Sequence, residues 1–220
     1  MQPAVDSHFA SAYSWRSIGE LPGVGLQYDG LCFLPGNPEI LLVAGFDSNL
    51  VSTIYQIQVA RDRLGHICGY SGAPVFFASG NDGADMLSGQ FAYGPGAVLF
   101  CALGGFSLME IKPGNTNANK RIDFPPPTPA YSISGLSFVP AGFPGAGRMK
   151  CFSWDSSAWQ DASVTPDGTG TLNVIFSTNV HQLTGGLFGA GYVTPGNPLF
   201  TNASVLVCFG IHGEELTPTK

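Results

Sequence analysis

Charge is scarce in this chain: 9 Lys+Arg and 15 Asp+Glu make up 11% of 220 residues, whereas soluble domains carry about a quarter. The surface must therefore rely on Ser, Thr, Asn, Gln and Gly, a pattern commoner in secreted and surface-attached proteins. The basic residues never cluster and the formal net charge is −6, so the electrostatic footprint needed for phosphate backbones is missing and nucleic acid is not an expected partner. The five cysteines at 32, 68, 101, 151 and 208 include no Cys-x-x-Cys pair and no histidine at metal-finger spacing, which argues against a structural zinc site. Their odd number rules out a complete disulfide framework and leaves the redox compartment open. There is no Gly-x-Ser-x-Gly elbow, phosphate loop or His-Glu-x-x-His, so hydrolase and nucleotide readings lose their usual support. Residues 86 to 109 carry no charge, but Gly94-Pro95-Gly96 and Gly104-Gly105 break the run; strands are expected there and no membrane span. Met1 to His8 shows no basic region followed by an apolar stretch, so no export leader is read at that end.

What is present is burial: 44% apolar and 12% aromatic residues, punctuated by 30 Gly and 17 Pro. Such a chain folds rather than staying disordered. A single domain over residues 1–220 is expected.

A unit recurs four times. It opens with a glycine, an aromatic and a Pro/Gly turn: Gly30-Leu31-Cys32-Phe33-Leu34-Pro35-Gly36, Phe91-Ala92-Tyr93-Gly94-Pro95-Gly96, Gly135-Leu136-Ser137-Phe138-Val139-Pro140, and Gly189-Ala190-Gly191-Tyr192-Val193-Thr194-Pro195-Gly196. The marker aromatics fall at 33, 93, 138 and 192, at intervals of 60, 45 and 54 residues. A second apolar run follows each turn: Ile40 to Ala44, Val98 to Ala102, Met149 to Trp154 and Val205 to Phe209. These runs are too short for helices and favour strands. Cys101, Cys151 and Cys208 recur within them, as small core residues would. Alternating third runs start at Thr53, Ser107 and Trp159, and fourth runs cover Ala73 to Phe77, Arg121 to Phe124 and Thr171 to Phe176. Asp167-Gly168 between third and fourth runs is a hairpin turn that accommodates positive φ.

Four strands per unit and a period near 50 predict an all-β fold, a β-propeller of four blades, with five as the other count. A β-sandwich is the competing architecture. The fourth unit runs short, leaving Gly213 to Thr219 as a poor third strand. Residues 1–20, through Tyr13-Ser14-Trp15-Arg16-Ser17-Ile18, are expected to complete the last blade, so that the N- and C-terminal segments pair and close the ring.

Three segments carry a likeness: Arg61 to Gly72, Phe138 to Lys150, and Val164 to Thr171. In matching order they resemble a group of bacterial secreted propeller-like proteins that often carry a C-terminal Pro-Glu-Pro sorting tail. The resemblance spans residues 21 to 210 and implies export and a propeller-like fold, with no reaction attached. Gly186-Leu187-Phe188-Gly189 stands where that group tends to have Gly-Pro-Glu-Gly, which removes a carboxylate from that corner.

Loops that enter each inner strand and those that join second to third strands share one face of a propeller. There they would gather Tyr28, Asp29, Phe46, Asp47, Asn49, Asp85, Tyr131, Trp154, Asp155 and His212 as a ligand-binding rim. Oxygen ligands from several units suit a hard cation such as calcium, while the same Asp and Asn residues also serve as turn caps. Asp47-Ser48-Asn49 lacks the acidic twelfth position of a calcium loop, and neither a metal ligand set nor another cofactor is assigned. Trp154, Trp159 and Tyr131 offer flat faces for sugar rings or peptides, or pack between blades. His66, beside Gly65 in an expected hairpin, reads as exposed, while His181 and His212 are isolated in sequence and read as ordinary polar contacts.

The expectation is an exported propeller, extracellular or on the cell surface, acting as a non-enzymatic binding or structural module for a carbohydrate or protein ligand. The alternative is a metal-dependent, lactonase-like hydrolase or lyase built on Asp29, Asp47, Asp85 and Asp155.

Overall fold

A computed structural model describes residues 4–24, 27–46, 53–80, 91–103, 105–125 and 130–210. The first unit folds as β1 (Gln27–Leu34), β2 (Asn37–Phe46), β3 (Thr53–Arg61) and β4 (Ile67–Ser79), an antiparallel meander in that order. The second repeats it with β5 (Phe91–Tyr93), β6 (Leu99–Ala102), β7 (Ser107–Ile111) and β8 (Lys120–Asp123). The third does so with β9 (Gly135–Phe138), β10 (Met149–Ser153), β11 (Ala158–Pro166) and β12 (Leu172–Gln182). A final antiparallel pair, β13 (Gly186–Val193) with β14 (Ser204–Gly210), makes up the fourth unit. The only helical piece among the described residues is a 3-10 turn over Pro95–Ala97. No helix among them is long and apolar enough to cross a membrane.

Strand alternation decides which sheet meets which. Leu42, Ala44 and Ile54 of the first sheet pack on Leu99, Cys101, Met109 and Ile111 of the second. The other face of the second sheet, with Phe100, Ala102 and Leu108, packs on Leu136, Met149, Cys151 and Ala162 of the third. All four residues of β6 are therefore buried, and this explains the charge-free run around them: a strand covered on both faces reads as continuously apolar. Each fully enclosed side chain of the Phe100 or Leu99 kind stabilises the fold by about 1.5–3 kcal/mol. The third sheet in turn contacts β13 through β9 and β10. There Ser137 Oγ lies 3.2 Å from Tyr192 Oη, and the Phe143 and Tyr192 rings meet edge to face.

Close approach between neighbours depends on two glycines that replace a side chain. A Cβ on Gly94 would stand 2.7 Å from Phe138 Cζ and 2.8 Å from Phe100 Cε2. The Trp154 ring likewise occupies the space where a Cβ of Gly186 would be. The expected Asp167-Gly168 turn is present, with Gly168 at φ 84° and Asp167 Oδ1 accepting from Thr169 N at 2.9 Å.

The N-terminal segment departs from expectation. Residues 13–18 form no strand and pair with no ladder among the described residues. Local turns take their place: Asp6 O accepts from Phe9 N and Ala10 N, and Phe9 O accepts from Ala12 N and Tyr13 N. Side chains make the long-range connections instead. Leu21 and Val24 cover Leu41, Val43, Ile57 and Val59 on the outer face of the first sheet, and Arg16 Nη2 donates to Ile67 O at 2.9 Å. Tyr13 Oη donates to Pro198 O at 2.8 Å, and Phe9 stacks on Phe200 at 5.7 Å between centroids. The same segment thus touches the first sheet and the loop of the last strand pair. Gly213 to Thr219 lie outside the described residues.

Candidate functional site

The described part of the expected rim is concentrated at one end of the third sheet. The turn 154–157 joins β10 to β11, with Ser157 at φ 54°, and residues 130–134 lead into β9 beside it. Backbone pairing registers the two: Ser134 N donates to Phe152 O at 2.7 Å, and Ser134 Oγ accepts from Trp154 N at 2.9 Å. This places Ser132 Oγ 2.7 Å from Asp155 Oδ2, to which it donates, and 3.4 Å from Ser153 Oγ. Gln182 Nε2 donates to Tyr131 Oη at 3.1 Å, and Ala130 N donates to Gln160 Oε1 at 3.0 Å. Gln160 Nε2 closes the set on Ser177 O. A void of about 10 Å³ lies among Tyr131, Ser132, Ser153, Trp159 and Gln160, about the space of one water molecule in a polar setting.

Of the residues expected at the rim, Tyr131, Trp154 and Asp155 come together here. Tyr28 belongs to the first sheet, where its Oη accepts from Leu21 N at 2.8 Å and so ties down the N-terminal segment. Asp29 and Phe46 lie on β1 and β2, and their side chains are outside what the structure describes, as are Asp47, Asn49, Asp85 and His212 altogether. The convergence of Asp29, Asp47, Asp85 and Asp155 is consequently not described. Among the described residues, no three or more His, Cys, Asp or Glu side chains are grouped to hold a metal ion.

The aromatic candidates divide by strand face. Trp154 sits on Gly186 of β13. Trp159 points to the face shared with Phe152 and His181, with Lys150 Nζ 5.1 Å from its ring centre. Its role is therefore packing and a cation–π contact, Trp154 is packed on its glycine neighbour, and Tyr131 is the remaining aromatic of the three beside the polar cluster. His66 is exposed and accompanies Asp62 in the β3–β4 turn, as expected of a surface contact.

No family model matches the chain, and no curated protein matches it.

Ser132 with Asp155 is a hydroxyl bonded to a carboxylate. No histidine among the described residues forms a hydrogen bond with that hydroxyl, the contact through which a base turns a serine into a nucleophile. Chemically, the cluster supplies donors, acceptors and an aromatic face in a small area.

A second polar cluster escaped the sequence reading. Glu110, fully buried in β7, accepts from Leu172 N at 2.8 Å, while its Oε1 has no partner. Opposite it in the ladder, Lys120 Nζ donates to Asp167 Oδ2 at 2.8 Å and to Leu172 O. Thr171 Oγ1 donates to the same Asp167 oxygen at 2.6 Å. Burial pushes the Glu110 carboxyl above the usual carboxylate range, against the pull of the Leu172 hydrogen bond and Lys120. Hydrogen bonds from Lys120 and Thr171 hold Asp167 well below that range. The signal in the sequence was one acid inside the apolar run Ser107 to Ile111, ten positions before Lys120, which the β7–β8 pairing registers against it. The cluster joins the second sheet to the third and is structural.

Cys101 and Cys151 behave as core, whereas Cys68 is exposed. Cys101 and Cys151 are buried and free, and Cys32 is free and partly buried. Burial pushes the Cys32 thiol up to about 12 and raises the other two as well, which keeps them protonated and unreactive.

Proposed function

We propose that the chain is an exported, four-bladed β-propeller that acts as a binding module at the cell surface or outside the cell. Four features support the ring. Its sheets pack face to face in chain order, and β6 is buried on both faces, whereas a two-layered sandwich leaves each sheet one outer face. The N-terminal segment touches both the first sheet and the last strand pair. The repeat supplies a similar meander to each of the first three units. Export is supported by the low charge content and by the resemblance to secreted propeller-like proteins.

The observation that carries the binding reading is the meeting of Tyr131, Ser132 and Asp155 at one end of the third sheet, with a hydroxyl held by a carboxylate. A half-buried aromatic beside fixed donors and acceptors suits a sugar ring or a polar peptide. Glycan and peptide arrays test this, with Ser132→Ala and Asp155→Ala as controls. Capture of a defined glycan or peptide that both substitutions weaken is the expected result. Silence on both arrays together with turnover of a lactone panel would instead make the protein an enzyme.

A further inference from the structure

On the side of the third sheet away from the second, strands β11 and β12 border a groove of about 240 Å³. Alternation explains what it presents. Ala162 and Phe176 turn into the core shared with the second sheet, so Asp161, Ser163 and Ile175 point the other way, and Arg148 and Ser177 complete the lining. At the preceding joint this part of the interface is filled: Phe124 of the second unit meets Phe176 edge to face, and Leu172 N is bonded to Glu110. Here β13 reaches β9, β10 and β11, while Ile175 of β12 is left 60% exposed.

The groove holds a cation with bonding capacity to spare. Asp161 is one carboxylate between two bases: Lys150 Nζ takes the short contact to Oδ1 at 2.7 Å, and Arg148 Nη1 stands 3.8 Å from Oδ2. Lys150 is largely enclosed, with its ammonium over the Trp159 ring. The Arg148 side chain is 61% exposed and lines the groove itself. A separation of 3.8 Å is too long for a hydrogen bond, so the guanidinium fork keeps its donors for an anion. The hydroxyls have the opposite polarity. Ser163 Oγ donates to Ile175 O and Ser177 Oγ to Asn179 O, which leaves their lone pairs, with Asp161 Oδ2, as acceptors.

Donors for an anion, acceptors for hydroxyls and an aliphatic patch at Ile175 together complement one chemical class. We propose that this groove binds a hexuronic acid residue, its carboxylate on Arg148, its hydroxyls on Ser163, Ser177 and Asp161, and its C–H face on Ile175. The volume lies below the range of about 300–1,000 Å³ that holds drug-sized ligands, which suits a single pyranose ring. Arg148 precedes β10 and the Ser132–Asp155 cluster lies at the other end of that strand, so this is a different site and stands or falls separately.

NMR titration with methyl glucuronide, set beside methyl glucoside and N-acetylglutamate, separates the contributions of carboxylate and ring. Saturable binding of the glucuronide at millimolar concentration is expected, with shifts in the Ser163, Ile175 and Ser177 amides and in the Arg148 side chain, and with both controls weaker. Arg148→Met should weaken the glucuronide by about tenfold, the loss of one charge-assisted contact. Arg148→Lys, which keeps the charge without the fork, should fall between the two, and Ile175→Glu should abolish binding. Both positions are exposed, so denaturation midpoints should stay near the wild-type value, and Ser132→Ala should bind the glucuronide as the wild type does. Should a variant fail to fold, the wild-type shifts decide. No saturable glucuronide binding, equal binding of either control, shifts confined to other residues, or a loss that follows Ser132→Ala and not Arg148→Met would overturn the proposal.

Discussion

The Glu110 carboxylate accepts a hydrogen bond from the Leu172 backbone N–H at 2.8 Å, so one buried acid links β7 of the second sheet to β12 of the third. Removing it leaves that N–H without its acceptor. Glu110→Ala should destabilise the protein by about 1–3 kcal/mol, the cost of a buried group left unsatisfied, as read from urea unfolding.

The pH dependence of the same residue has a definite sign. Its folded-state pKa is raised, so the native state holds the proton more tightly than the unfolded chain does. Glu110 therefore contributes stability that is fully present below the ordinary carboxylate value and is lost as pH rises through the raised one. Thermal melts across that window should fall with pH in the wild type relative to Glu110→Gln. A difference that stays constant with pH would show that Glu110 does not titrate in this way.

Asp167 works in the opposite direction. Its pKa is held down by Lys120 and Thr171, so its contribution is present above the ordinary carboxylate value and disappears as pH falls through the lowered one. Asp167→Asn should lower the melting temperature at neutral pH and narrow its gap from wild type in strong acid. Lys120→Met should do the same, since it removes the partner.

Gly94→Ala places a methyl group 2.7 Å from Phe138 Cζ. Overpacking of this kind costs about 1–3 kcal/mol, and Phe138→Leu in the same chain should recover part of it. Denaturant midpoints of the single and double variants settle the point; equal loss in both would mean that the ring is not the obstacle.

The N-terminal clasp predicts a local effect at a distance. Phe9→Ala combined with Tyr13→Phe removes the stack on Phe200 and the hydrogen bond to Pro198 O. Hydrogen exchange should quicken across residues 194–203 and leave β6 and β10 unchanged. The hydrogen bond by itself is worth no more than about 1 kcal/mol in so exposed a place, which makes exchange a better readout than melting.

The strands were legible because their signals are local. Val98 to Ala102 and Met149 to Trp154 are apolar runs bounded by turn residues, and β6 and β10 occupy them almost residue for residue. The Asp167-Gly168 turn needed only two residues to be read. The segment Tyr13 to Ile18 misled because alternating polarity suits a strand only where a ladder partner is available, and here Asp6 and Phe9 coil the preceding chain before it arrives. Glu110 was overlooked for a related reason: burial on a second face depends on which sheet stacks there, and no single strand encodes that. At the candidate site, Tyr131 and Asp155 were read from the turns that carry them, whereas Ser132 was not, because its importance rests on a register between residues 132 and 155 that only the folded chain sets.

Because β6 and β7 of the second sheet are enclosed by neighbours on either side, they have no free surface into which a misfit can relax. An enlarged residue at Phe100 must be absorbed by the third sheet and one at Cys101 by the first. Substitution should therefore be least forgiving in the middle of the chain and more permissive toward both ends, and homologous sequences should drift apart from the outside inward.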